Sequence, residues 1–160
     1  MKLTLAQALQ NGVTAHREGK LSEAERLYLE ILQKMPGHPD ANHNLGVLLL
    51  STGKISAALP FFERALEANS NVKQFWLSYI DALIAGNLFE EAAKTLVRAE
   101  KMGVVDERLN NYKRQICLKT DAATQIIGPL DLAAAIELRE LGKYSEAQDW
   151  LKQALRTHPT

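Results

Sequence analysis

Apolar residues fall along this chain at helical spacing, in runs closed by glycine, asparagine or proline. Leu5, Ala8, Leu9, Gly12 and Ala15 recur at intervals of three and four, which predicts a first helix with one buried stripe. Thr4 followed by Gln7 has the spacing of a capping box, in which a hydroxyl and an amide each satisfy an orphaned N–H. Gly19 is the permissive residue that ends this helix. Ala24, Leu27, Tyr28, Ile31 and Leu32 give the stripe of a second helix. Ser22 and Glu25 are placed to cap it, and Pro36, Gly37 and Pro39 to stop it.

The same order then returns. Leu45, Gly46, Leu48 and Leu49 predict a third helix, and Ala58, Leu59, Phe62, Ala65 and Leu66 a fourth. Pro60 stands in the opening part of that fourth helix, where a slight irregularity is expected. Trp76, Tyr79, Ile80 and Leu83, then Phe89, Ala92, Leu96 and Ala99, predict a fifth and a sixth. Between these two, Asn87 takes the place of the turn glycine, because asparagine also enters the left-handed region.

The recurrences share one interval. Gly19 and Gly53, Gly12 and Gly46, Leu32 and Leu66, and Ala24, Ala58 and Ala92 are all spaced 34 residues apart. Large residues follow suit at Tyr28, Phe62 and Leu96. A fixed period of this length means stacked helical hairpins rather than one globular core. The expectation is all-α, a right-handed superhelical solenoid of about four hairpins forming a single array over residues 1–160. Its units run about 5–38, 39–72 and 73–106. Another copy, Gly142-Lys143-Tyr144-Ser145-Glu146-Ala147, arrives 21 residues late. The reading is therefore a fourth unit over about 128–160, preceded by an insertion over 107–127. Leu109, Tyr112, Ile116 and Cys117 space one helix within that insertion, and a loop follows. The chain stops at Pro159, a usual repeat end, which reads as a piece of a longer protein.

Composition narrows the function. Formal net charge is zero, which argues against a general phosphate-binding surface. Arg108, Lys113, Arg114 and Lys119 gather around Tyr112, yet in a neutral chain they read as a solvated helix face, so no nucleic acid is expected. The single cysteine, Cys117, allows no internal disulfide and reads as a packing residue. Polar residues interrupt the N-terminus before a signal core forms, and no apolar run reaches membrane-spanning length. A cytoplasmic location with no membrane contact is expected. His16, His38 and His43 with Asp40 lack the paired spacing of a ligand set, so neither metal nor cofactor is expected. No phosphate loop or nucleophile elbow occurs, and the chain reads as not an enzyme.

The pattern Trp76-x-x-Tyr79, Asn42-x-x-Leu45-Gly46-x-x-Leu49, Ala58-x-x-x-Phe62 and a closing Pro36 resembles the tetratricopeptide repeat (TPR) family. That resemblance implies a non-catalytic scaffold that binds a protein or peptide in the concave groove lined by the first helix of each hairpin. Carried onto this sequence, the groove positions include Gln10, Val13, His16 and Arg17, then Asp40, His43, Asn44 and Val47, then Gln74, Leu77, Ser78 and Asp81. In a late unit they fall on Ile136, Arg139 and Glu140. Chaperone-binding members clamp a ligand's terminal carboxylate with polar groups, where Leu9, Val13 and Leu77 stand here, so that clamp is not expected. The TPR arm of O-linked N-acetylglucosamine transferases implies an asparagine ladder, degraded here to Gln10, Asn44 and Ser78 and ending at Ala133. The runs 16–24 and 36–41 resemble bacterial TPR arms joined to glycosyltransferase or sulfotransferase domains, which implies a recruiting module. The alternative is self-association as a homodimer through Trp150, Leu151 and Leu155 on the last helix.

Overall fold

The computed structural model describes residues 3–117 and 119. Among them seven helices follow one another with no strand. They are α1 (Leu5–Arg17), α2 (Leu21–Lys34), α3 (Pro39–Ser51), α4 (Ile55–Ala68), α5 (Lys73–Ala85), α6 (Phe89–Lys101) and α7 (Arg108–Cys117). Helices adjacent in sequence pack together, and α1 also meets α3, α3 meets α5 and α5 meets α7. No corresponding contact joins α2 to α4 or α4 to α6. Hairpins are therefore stacked into an all-α solenoid, with first helices crowded on one side and second helices splayed on the other. Among the described residues no helix is long and apolar enough to cross a membrane.

Each hairpin closes through the same turn. Lys20 donates its N–H to Ala15 at 2.9 Å, Lys54 to Leu49 at 2.9 Å and Leu88 to Leu83 at 2.8 Å. The residue before each of these donors is left-handed: Gly19 at φ 77°, Gly53 at φ 76° and Asn87 at φ 57°. Asparagine thus does the turn's work in the third hairpin, as its position predicted. The capping box at the start of α1 is also present: Gln7 N–H meets Thr4 Oγ1 at 3.2 Å, and Thr4 N–H meets Gln7 Oε1 at 3.0 Å.

Within a hairpin, close approach rests on size complementarity. Gly12 lies under the ring of Tyr28, so that a Cβ would stand 2.7 Å from Cε1. Gly46 lies the same way under Phe62, at 2.9 Å. In the third hairpin the equivalent positions hold Ile80 and Leu96, both fully buried. There a larger residue faces a smaller one, and the summed volume is roughly kept. Ala24, Ala58 and Ala92 are fully buried on the second helices.

Several expectations need correction. Ser22 and Glu25 do not cap α2: the helix already starts at Leu21, with Lys20 at its N-cap and no side-chain cap. The turn feeds the chain straight into α2, which leaves Ser22 two residues past the cap position. Pro60 is the sixth residue of α4 rather than an opening one, yet the helix runs unbroken to Ala68. Pro60 and Ser56 are both exposed, so water can meet the carbonyl that the missing N–H leaves open.

The helix expected in the stretch after residue 106 is α7, which buries Leu109, Tyr112 and Ile116 and leaves Cys117 half-buried. It starts 35 residues after α5 and packs on α6 and α5, as α5 packs on α4 and α3. Two of its basic residues are paired, Lys113 with Glu100 and Arg108 with Asp106. The expected loop, the fourth unit over 128–160 and Trp150, Leu151 and Leu155 lie outside the described residues.

Gly46→Ala forces a methyl into the face of the Phe62 ring and should destabilise the chain by about 1–3 kcal/mol in urea unfolding. Adding Phe62→Leu, the pairing already used by Ile80 and Leu96, should recover much of that loss. Strict additivity of the two substitutions would refute the size-matching account.

Candidate functional site

Because only the first helices touch their counterparts in the next hairpin, the stack curves toward them, and α1, α3, α5 and α7 line the concave side. Gln10 and Arg17 are exposed on α1 and His16 is half-buried. Among the described residues none of the three makes a side-chain hydrogen bond or ion pair with another first helix. Leu9, Val47, Leu50 and Ile84 are half-buried and Val13 is exposed, giving this face an apolar component. Leu77 is fully buried and leaves the surface altogether.

The polar centre runs from α3 across α5 to the start of α7. His43 on α3 stacks on Phe75 of α5, ring centroids 4.7 Å apart and planes 28° from parallel, and sets its edge toward Phe62. Its Nε2 lies 3.0 Å from Ser78 Oγ on α5, and its Nδ1 3.3 Å from Asn44 Oδ1. Gln74 Nε2 donates to Ser78 Oγ at 3.1 Å, one helical turn earlier on α5. Arg108 at the start of α7 donates to Gln74 Oε1 at 3.5 Å. Arg108 is itself anchored by its side chain and its backbone N–H to Asp106 Oδ1, at 3.0 and 3.1 Å. Lys73 Nζ holds the other carboxylate oxygen at 3.2 Å. Hydrogen bonds from Arg108 depress the Asp106 carboxyl far below the carboxylate range.

Four of the expected groove residues, His43, Asn44, Gln74 and Ser78, are thus brought into one cluster. Ser78 differs from its expected role. It is only 6% exposed, and its hydroxyl is engaged by His43 and Gln74 rather than offered outward. Asp81 is exposed a turn further along α5. Tyr112 on α7 is buried beside it. Burial first, and the Asp81 carboxylate second, push that phenol above its ordinary range.

In the sequence Arg108 and Tyr112 read as parts of a solvated basic helix and not as groove positions, although the signal was there. Arg108 stands 34 residues after Gln74, and Tyr112 34 after Ser78. Assigning residues 107–127 to an insertion moved the next ladder position to Ala133, outside the described residues. Among the described residues, no group of three or more His, Cys, Asp or Glu is placed to hold a metal ion.

The tetratricopeptide repeat family model matches residues 15–59 and 49–116, well over half of the chain. The chain belongs to the tetratricopeptide repeat family. Solved structures agree on the fold. The first TPR of Spaghetti (RPAP3), bound to the HSP90 peptide SRMEEVD, is 20% identical with a TM-score of 0.65, over 71% of this chain and 90% of that one. The TPR2B domain of yeast Sti1 in its pHsp70 complex is 16% identical with a TM-score of 0.66, over 72% and 98%. A mutant of MamA is 18% identical with a TM-score of 0.63, over 98% of this TPR chain and 78% of its own. No curated protein matches this chain.

Burial lowers the His43 pKa below 6.5, against smaller upward pulls from its bond to Asn44 and the nearby Asp40 carboxylate. The unfolded chain therefore binds more protons than the folded one between the lowered value and 6.5. The contribution of His43 to stability is complete above that window and is lost as pH falls through it. The urea midpoint of the native chain should drop on acidification below about pH 6.5, and His43→Phe should remove part of that drop. Parallel pH profiles for the two proteins would refute this.

Proposed function

We propose that this TPR array is a non-catalytic scaffold whose concave face binds an extended segment of a partner protein, recruiting it to a larger assembly. The carrying observation is the polar cluster of His43, Asn44, Gln74, Ser78 and Arg108 spanning three first helices, beside the half-buried apolar Leu9, Val47, Leu50 and Ile84. A face of this kind can hold the backbone of an extended chain while its side chains find apolar contact. Structural relatives bound to HSP90 and Hsp70 peptides support the reading at the level of the fold. The resemblance to TPR arms of bacterial glycosyltransferases and sulfotransferases supports the recruiting role. The single cysteine supports a reducing, cytoplasmic setting.

The ligand proposed here is an internal segment rather than a chain terminus. Leu9, Val13 and Leu77 stand where a carboxylate clamp needs polar groups, and Leu77 is fully buried. Asp40 and Asp81 are exposed on the same face, which further disfavours a terminal carboxylate. Self-association through Trp150, Leu151 and Leu155 is the alternative; it has no support from the described residues.

Selection of random dodecapeptides on the immobilised full chain tests the proposal. Asn44→Ala and Asp81→Ala should each weaken the selected peptides, Asn44→Ala by roughly tenfold. Arg26→Ala, on the outer helix α2, should leave affinity unchanged. Equal losses in all three variants, or none in the first two, would place binding elsewhere. Light scattering of the same variants should show no change in mass.

A further inference from the structure

The polar cluster has a direction, set by what each group can donate. A guanidinium has no acceptor, so Arg108 can only donate to Gln74, and the Gln74 oxygen faces it. The Gln74 amide nitrogen is left to donate to Ser78 Oγ. Ser78 Oγ thus accepts from Gln74, and its own proton goes to His43 Nε2 at 3.0 Å, the one acceptor in reach among the described residues. An imidazole that accepts at Nε2 carries its proton on Nδ1. That Nδ1–H then donates to Asn44 Oδ1 at 3.3 Å. All four bonds run the same way, from a cation on α7 to an amide on α3. The Asn44 oxygen thus already accepts from His43 with one lone pair, while its NH2 has no partner among the described residues.

We propose that Asn44 presents its hydrogen-bond donor to the groove, with His43 as the residue that positions it. The contact it makes is therefore to an acceptor, the backbone carbonyl of an extended peptide. The ligand half of this proposal rests on the groove reading above. A free asparagine offers its oxygen and its NH2 equally to a peptide group; here the oxygen is turned toward the imidazole and already accepts from it, so the NH2 is the group left to lead. Bonds aligned head to tail polarise one another, which strengthens the terminal donor. A carbonyl fits better than a carboxylate, because Asp40 lies one turn before Asn44 on α3 and Asp81 one turn after Ser78 on α5, both exposed.

Two measurements on the full chain decide it. In long-range 1H–15N spectra of the 15N-histidine-labelled protein at alkaline pH, His43 should be the Nδ1–H tautomer. Ser78→Ala should shift it toward the Nε2–H form; a purely packing role for Ser78 would leave the tautomer where it was. An Nε2–H tautomer in the native protein would overturn the proposal. For the ligand half, a dodecapeptide selected as above is remade with each backbone carbonyl in turn replaced by a thioamide, a weaker acceptor. One position should lose roughly three- to tenfold in affinity, and Asn44→Ala should abolish that difference. If backbone N-methylation at one position, rather than thioamide replacement, gives the Asn44-dependent loss, Asn44 acts as an acceptor and the proposal fails. If no selected peptide depends on Asn44, the groove reading and the ligand half fall together, and the tautomer alone decides the donor's direction.

Discussion

The fold depends on how closely the two helices of a hairpin can approach. In the first two hairpins this distance is set by a glycine lying flat against an aromatic ring, Gly12 under Tyr28 and Gly46 under Phe62. A single methyl on either glycine would fall inside van der Waals contact, so neither position tolerates a side chain unless the ring shrinks. The third hairpin shows that exchange already made, with Ile80 and Leu96. What recurs through the chain is thus a sum of volumes rather than a residue type, as expected of a densely packed interior. Left-handed turn residues and fully buried alanines return at the same period because they serve the same approach.

Curvature follows from this packing, and the chemistry of the inner face follows from curvature. First helices touch their counterparts in neighbouring hairpins while second helices do not. Polar side chains on the inner face are consequently brought together from three helices, and some lose water. Ser78 is nearly buried, and a buried hydroxyl needs partners. It finds them on both sides, at His43 and Gln74. The His43 ring is held by stacking on Phe75, so the geometry of the cluster is set by apolar contact as much as by hydrogen bonds.

Much of the backbone was legible in the sequence because a repeat states its rules several times. The left-handed turn at Asn87 followed from position within the period, and the Thr4–Gln7 capping box from its own spacing. Ser22 and Glu25 misled because their spacing is that of a capping box, while the turn at Gly19 had already delivered the chain into α2. Within the groove, the period located Asn44 and Ser78 but not the difference between them. That difference arises from the approach of α3 to α5, a property of two helices together that no single stretch encodes. Arg108 and Tyr112 escaped for another reason: the late copy at residues 142–147 drew the period away from a register in which they continue the series of Gln74 and Ser78.

That register changes how the groove is understood as a binding surface. In a ladder of independent asparagines each hairpin reads its own peptide unit, and losing one leaves the rest unchanged. Here the amide of Asn44 is oriented by a ring on the same helix, which is oriented by a hydroxyl and an amide on the next. That amide faces a guanidinium on the helix after it, and the guanidinium is fixed by Asp106, which Lys73 also holds. On the proposed reading, what the second hairpin offers a ligand therefore depends on whether the third hairpin and α7 are seated on it. In that reading recognition and stacking draw on the same contacts, so the polar cluster of a hairpin is complete only when its neighbours are in place.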